Sequence, residues 1–158
     1  MPPKPPDSPL GAFLAALREE KVPCILIGAM AAIQQGAPLT TIDFDFWVRL
    51  RERQYIRILK IIQRLDGTIR TQTFYELSDG TQVNVIFKPN GLRSFAREFK
   101  ASRLNDLEGQ PVRILPLARV IASKEAAGRD KDLAVLPILR RTLALGREVK
   151  KSGRKSKD

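Results

Sequence analysis

Apolar positions recur at three distinct spacings along the chain, and each spacing predicts an element. From Ile42 to Val48 every second residue is Ile42, Phe44, Phe46 or Val48, which predicts a strand over 41–48 with those four on one face. Asp43, Asp45 and Trp47 then share the other face. Upstream, the short apolar run Cys24 to Ile27 predicts a strand that stops at Gly28. The small residues of 30–35 follow as a helix, closed by a turn at Gly36, Ala37 and Pro38. Leu10, Phe13, Leu14 and Leu17 fall at helical spacing within 10–20, as do Tyr55, Ile58, Leu59, Ile62 and Leu65 within 54–65, where Asp66-Gly67 ends the pattern.

Segments 68–77 and 81–87 read as the two strands of a hairpin around Ser78-Asp79-Gly80. Val83, Val85 and Phe87 face one way in the second strand, and Gln82, Asn84 and Ile86 the other. Residues 92–104 predict one helix or helical loop with Arg93, Arg97, Lys100 and Arg103 along a basic side. A short strand over 112–115 leads into a helix over 116–127 with proline in its first turn, broken by Gly128-Arg129-Asp130. A further helical turn through Ala134 follows, and Pro137 is expected to open a separate short helix over 138–145 rather than sit inside one. Strands and helices mixed in this order predict an α+β fold. Its domain spans 10–146, between a proline-rich lead-in (1–9) and a basic, unstructured tail (147–158).

Composition narrows the chemistry. The 158 residues include one cysteine and no histidine, which excludes an internal disulfide, the commonest zinc sites and any Ser-His or Cys-His nucleophile pair. No apolar run is long enough to cross a bilayer and none near the N-terminus reads as a signal peptide, so the expected location is the cytoplasm. The formal net charge of +11 points to a polyanionic partner: nucleic acid, nucleotide or an acidic protein. Part of that charge lies in the tail. A second cluster, Arg49, Arg51, Arg53, Arg57, Lys60 and Arg64, follows directly on the acidic strand.

Asp43 and Asp45 at i and i+2 on a strand can point into one cleft and chelate Mg²⁺, a hard cation that accepts a few carboxylates together with phosphate and water oxygens. Nucleotidyl transfer uses such carboxylates, with one ion or two flanking the phosphorus under attack. A glycine at the end of the preceding strand lets the chain turn into a helix whose free N–H groups suit a phosphate.

The stretch Gly28-Ala29-Met30-Ala31, then Gly36-Ala37-Pro38-Leu39-Thr40-Thr41-Ile42-Asp43-Phe44-Asp45-Phe46-Trp47-Val48, resembles the active-site signature of the nucleotidyltransferase superfamily. It is most similar to the small bacterial proteins of the abortive-infection toxin type. The run Ile121 to Leu133, with Lys124, Ala127-Gly128-Arg129 and Lys131-Asp132, resembles a second segment of that group. The resemblance implies a nucleotidyltransferase-type mixed β-sheet flanked by helices, with a short C-terminal helical segment closing one side of the cleft. It makes Gly28 and Ala29 the phosphate-cradling turn and Asp43 and Asp45 the catalytic metal ligands. Thr41, Lys124 and Arg129 become nucleotide contacts; for Lys124 and Arg129 the residues alone equally predict a solvated helix end with Asp132 as a local salt-bridge or cap partner.

Three departures from the pattern matter. Ala29 replaces the usual glycine or serine, and Leu39 replaces the usual arginine. The third carboxylate, expected on the later strand, is Asn84, which offers a metal one neutral oxygen and no charge. Glu76 substitutes for it only if the hairpin register brings it to the same cleft. Two expectations follow. The first is a Mg²⁺-dependent enzyme that moves a nucleoside monophosphate from a triphosphate to a hydroxyl of RNA (the end of a tRNA included), of a protein or of a small molecule. The second is a degraded relative that binds nucleotide, nucleic acid or the partner protein of a toxin–antitoxin pair.

Overall fold

A computed structural model of the protein describes residues 6–155; the first five residues of the proline-rich lead-in and the last three of the tail lie outside it. Helix α1 (Pro9–Glu19) begins with proline and is capped by Ser8, whose hydroxyl oxygen accepts from the Gly11 N–H at 3.0 Å. Strand β1 (Cys24–Ile27) runs straight into α2 (Gly28–Gln34), and β2 (Asp43–Val48) follows. A 3₁₀ turn over Glu52–Gln54 and α3 (Ile56–Arg64) lead to β3 (Thr68–Ile69), β4 (Phe74–Glu76) and β5 (Gln82–Ile86). Then come α4 (Phe95–Ala101), β6 (Arg103–Leu107), β7 (Gln110–Ile114), α5 (Leu117–Ala127) and α6 (Asp130–Lys155).

The strands form one mixed sheet in the order β3-β4-β5-β2-β1-β7-β6. β2 pairs parallel to β5 and β1 parallel to β7, while the other neighbours are antiparallel. This is the α+β architecture expected. One face carries Phe44, Phe46 and Val83 and is covered by α1, which packs against α3; the rings of Phe13 and Phe46 lie 6.1 Å apart. The opposite face carries Asp45 and Trp47. There α4 sets Phe95 edge-on against Trp47 at 5.1 Å, and α5 packs beside α2. Gln35 fixes that second contact. Its side-chain amide donates to the carbonyls of Ala31 and Leu115, and its Oε1 accepts from the Leu117 N–H, all at 2.9 Å.

Several expectations change. Ile42 lies outside β2 and is 69% exposed, so the apolar face of that strand begins at Phe44. The segment 68–77 is two strands, not one, with its own reversal between Ile69 and Phe74. The helix expected over 92–104 ends at Ala101, and Arg103 to Leu107 form β6, which pairs with β7. Leu107 faces Gln110 across a two-residue turn in which Glu108 and Gly109 both have positive φ, the geometry a twisted hairpin needs.

At the C-terminus, Pro137 lies inside α6 rather than opening a new helix, and α6 has 26 residues instead of forming a short segment. Proline removes one helical hydrogen bond. Burial of Leu136 and Leu139 on either side of it holds the helix on the domain. The same helix continues to Lys155, where the sequence predicted an unstructured tail from 147.

Candidate active site

The three central strands, β5, β2 and β1, assemble the site. In the β1–β2 register Ile27 faces Asp45, and in the β2–β5 register Asp45 faces Asn84. Directly paired residues project to the same side of a sheet, so the end of β1, Asp45 and Asn84 meet on the face opposite Phe46. The Asn84 amide Nδ2–H donates to Asp45 Oδ1 at 3.0 Å. Gly28, with φ +72°, starts α2 at this point, and a Cβ placed there would lie 2.6 Å from Asp45 Oδ2. The backbone therefore passes against the carboxylate in a way only glycine allows. Ile27, the N-cap of α2, offers no side-chain cap, so the first N–H groups of the helix beside Asp45 carry no capping side chain.

The other wall of the cleft comes from α5 and the start of α6. Ser123, Lys124 and Ala127, then Arg129 and Asp132, line a cleft of about 270 Å³ with Gly28, Asp45, Pro89 and Asn90. Asp132 is 1% exposed and organises that wall. Its carboxylate accepts from Arg129 Nε at 2.6 Å and pairs with Lys124 Nζ at 3.5 Å. The two hydrogen-bonded and charged partners outweigh its burial and hold its carboxyl below the usual Asp range.

Burial pushes the Asp45 carboxyl above the usual range. The Asn84 hydrogen bond acts against that rise, the Asp43 charge adds to it, and Lys124 and Lys131 oppose it. Asp43 Oδ1 is buried and has no hydrogen-bond partner. An unpartnered buried carboxylate oxygen is costly unless something cationic or protic completes it. Asp43 and Asp45 thus fit a divalent cation that takes its remaining oxygens from phosphates and water. Among the described residues no cluster of three or more His, Cys, Asp or Glu could hold a metal by itself. The donor set is two carboxylates.

Of the residues singled out in the sequence, Gly28, Asp45, Asn84, Lys124 and Arg129 meet in or beside one cleft. Asp43 sits two positions before Asp45 on β2; Ala29 follows Gly28 in the first turn of α2; Thr41 lies just ahead of β2, half-buried. Asn84 meets Asp45 as a hydrogen-bond donor, so the amide face turned to that carboxylate is its N–H, not the neutral oxygen expected to face a metal.

Glu76 does not reach the site. It faces Gln82, which in turn faces Asp43, a separation of two strand spacings or about 10 Å. Its carboxylate is engaged by Arg70 at 2.6 Å. Sequence reasoning passed over Lys131, which acts on Asp45 from α6; the salt-bridge partnership of Asp132 with Lys124 and Arg129 is as the residues suggest, but its burial is not legible in them. Both lie in the Arg129-Asp130-Lys131-Asp132 run; what could not be read is that the start of α6 forms the wall of a cleft shared with Asp45.

No family model matches the chain, and no curated protein sequence matches it. Solved structures do. The solution structure of the antibiotic-resistance factor ANT(2″)-Ia shares 18% identity over 94% of this chain and 90% of its own, with a TM-score of 0.54. An antigenic nucleotidyltransferase-like protein from Paracoccidioides brasiliensis shares 16% identity over 85% of this chain and 74% of its own, also with a TM-score of 0.54. The lincosamide antibiotic adenylyltransferase LnuA, solved with lincomycin bound, shares 12% over 85% and 96%, with a TM-score of 0.51. The chain has the nucleotidyltransferase fold.

Proposed function

We propose that the protein is a Mg²⁺-dependent nucleotidyltransferase that moves a nucleoside monophosphate from a nucleoside triphosphate to a hydroxyl acceptor. The observation that carries this reading is the unpartnered, buried Asp43 Oδ1 two residues from Asp45, beside a helix start open to phosphate. Asp43 and Asp45 would hold the ion, which when bound would supply positive charge to offset that of the phosphate oxygens. The first N–H groups of α2, at Gly28 and Ala29, donate to phosphate oxygens. Lys124 and Arg129, kept in place by Asp132, offset the charge of the departing pyrophosphate. The acceptor oxygen bonds to the α-phosphorus, the bond to the β-phosphate bridge breaks, and the hydroxyl proton passes to solvent. The fold shared with LnuA and ANT(2″)-Ia supports a hydroxyl acceptor in general, and the net charge of +11 favours an RNA among acceptors.

A second reading rests on Asn84. With an amide where the resemblance calls for a third carboxylate, the fold would bind nucleotide, nucleic acid or a partner protein without transferring anything. One experiment separates the two: incubation with each α-³²P-labelled triphosphate, Mg²⁺ and total RNA or protein. Label transfer that disappears in Asp43→Asn and in Asp45→Asn, both still folded, supports the enzyme. Unchanged transfer in either variant removes the site assignment, and no transfer to any acceptor favours the binding module.

A further inference from the structure

The C-terminal end of β2 opens onto a second cavity, of about 560 Å³, that the transfer site does not use. Half-buried Phe87 and Phe95 contribute aromatic surface to it; Trp47, 6% exposed, forms its floor, edge-on to Phe95 and with its indole N–H donating to the Phe87 carbonyl at 3.2 Å; Lys21, Arg49, Arg51 and Arg57 contribute cations. Among the described residues no carboxylate lines it. Arg57 is tied back to α1, donating to the Glu20 carbonyl at 2.6 Å, with the Glu20 carboxylate 3.6 Å away. Arg49 and Arg51 are exposed, and among the described residues neither forms an ion pair.

Clustering Lys21, Arg49 and Arg51 beside the Glu20-paired Arg57 is unfavourable unless an anion shares them, and aromatic rings beside guanidinium groups are the surface on which nucleobases stack. An acidic peptide would satisfy the cations and leave the rings unused. The cavity also has a direction. Trp47 and Asp45 project to the same face of β2 two residues apart, about 7 Å along the strand, so a strand held here has its end close to the carboxylates.

We propose that this cavity is a binding site for single-stranded nucleic acid, with its phosphates on Lys21, Arg49 and Arg51 and a base against the Phe87 and Phe95 surface above Trp47. That the bound strand is also the acceptor rests on the transfer reading above; the binding itself does not.

Trp47 is the chain's one tryptophan and lines this cavity, so its fluorescence reports on a ligand bound there. The full-length protein, without nucleotide or Mg²⁺, is titrated with short oligouridylate and oligothymidylate at several salt concentrations. The expected result is a saturable change in Trp47 emission with at least one of them. In Arg49→Gln/Arg51→Gln the affinity should fall tenfold or more, and the slope of log K against log salt should become shallower by about 1.4, as expected for two lost phosphate contacts on a single strand. Because the titration contains neither triphosphate nor Mg²⁺, failure of this site is read separately from failure of the transfer site. No response to either oligonucleotide, an unchanged salt slope in the folded double variant, or equal binding of polyglutamate would overturn the proposal.

Discussion

Gly28 and Asp45 are set against each other so closely that a single methyl group at Gly28 would lie 2.6 Å from the Asp45 Oδ2. The contact joins the two halves of the proposed site, the phosphate-facing start of α2 and the metal-binding strand, through one pair of residues.

Gly28→Ala should therefore damage both halves together. The left-handed φ of +72° adds about 1–2 kcal/mol for any residue with a Cβ, and the Asp45 carboxylate must also move. The expected outcome is a folded protein with a modestly lower melting temperature and no measurable Mg²⁺-dependent triphosphate binding. Wild-type affinity in this variant would show that Asp45 and α2 do not act together.

Asn84→Asp reverses the departure that most distinguishes this chain from the pattern it resembles. Without metal, a new carboxylate faces Asp45, whose charged form already suffers from burial and from Asp43. Exchanging a hydrogen bond for repulsion should cost about 1–3 kcal/mol and lower the melting temperature by several degrees in EDTA. Excess Mg²⁺ should raise the melting temperature more in the variant than in the wild type. Equal Mg²⁺ responses would mean that position 84 lies outside the reach of the ion.

Glu98, on α4, is fully buried and bound by Arg93 at 2.7 Å and Arg119 at 2.8 Å. Burial alone would raise its carboxyl, but the hydrogen bonds from the two arginines outweigh it and bring the value down to about 2. Since the folded value lies below the unfolded one, the stabilisation is complete above the ordinary Glu range and is lost as pH falls toward 2. It amounts to about 3 kcal/mol. Urea midpoints at about pH 5 and about pH 3 should fall further in the wild type than in Glu98→Gln. Parallel falls would assign acid sensitivity to other carboxylates.

The carboxylate strand was legible because period-two alternation assigns faces without tertiary information: Asp43, Asp45 and Trp47 on one side, Phe44, Phe46 and Val48 on the other. Parallel pairing with β5 then set Asn84 opposite Asp45. The elements that could not be read depend on partners rather than on local pattern. β6 exists because β7 pairs with it through the positive-φ turn at Glu108-Gly109, and nothing in its own residues alternates clearly. β3 has two residues and needs β4. Pro137 looked like a helix start because local chemistry favours that position, and tertiary burial of Leu136 and Leu139 overrode it. At the site, the sequence carried the residue types but not the register, and register is what assigns Glu76 to Arg70 and away from the cleft.

The most direct test is calorimetric titration of the folded protein with ATP, GTP, CTP and UTP, with and without Mg²⁺. Asp43 has a buried oxygen without a partner, and a metal-bound triphosphate would complete it. The account predicts that one triphosphate binds with Mg²⁺ present, binds far more weakly without it, and loses that metal dependence in Asp43→Asn. A well-folded protein that binds none of the four with Mg²⁺ present would contradict it.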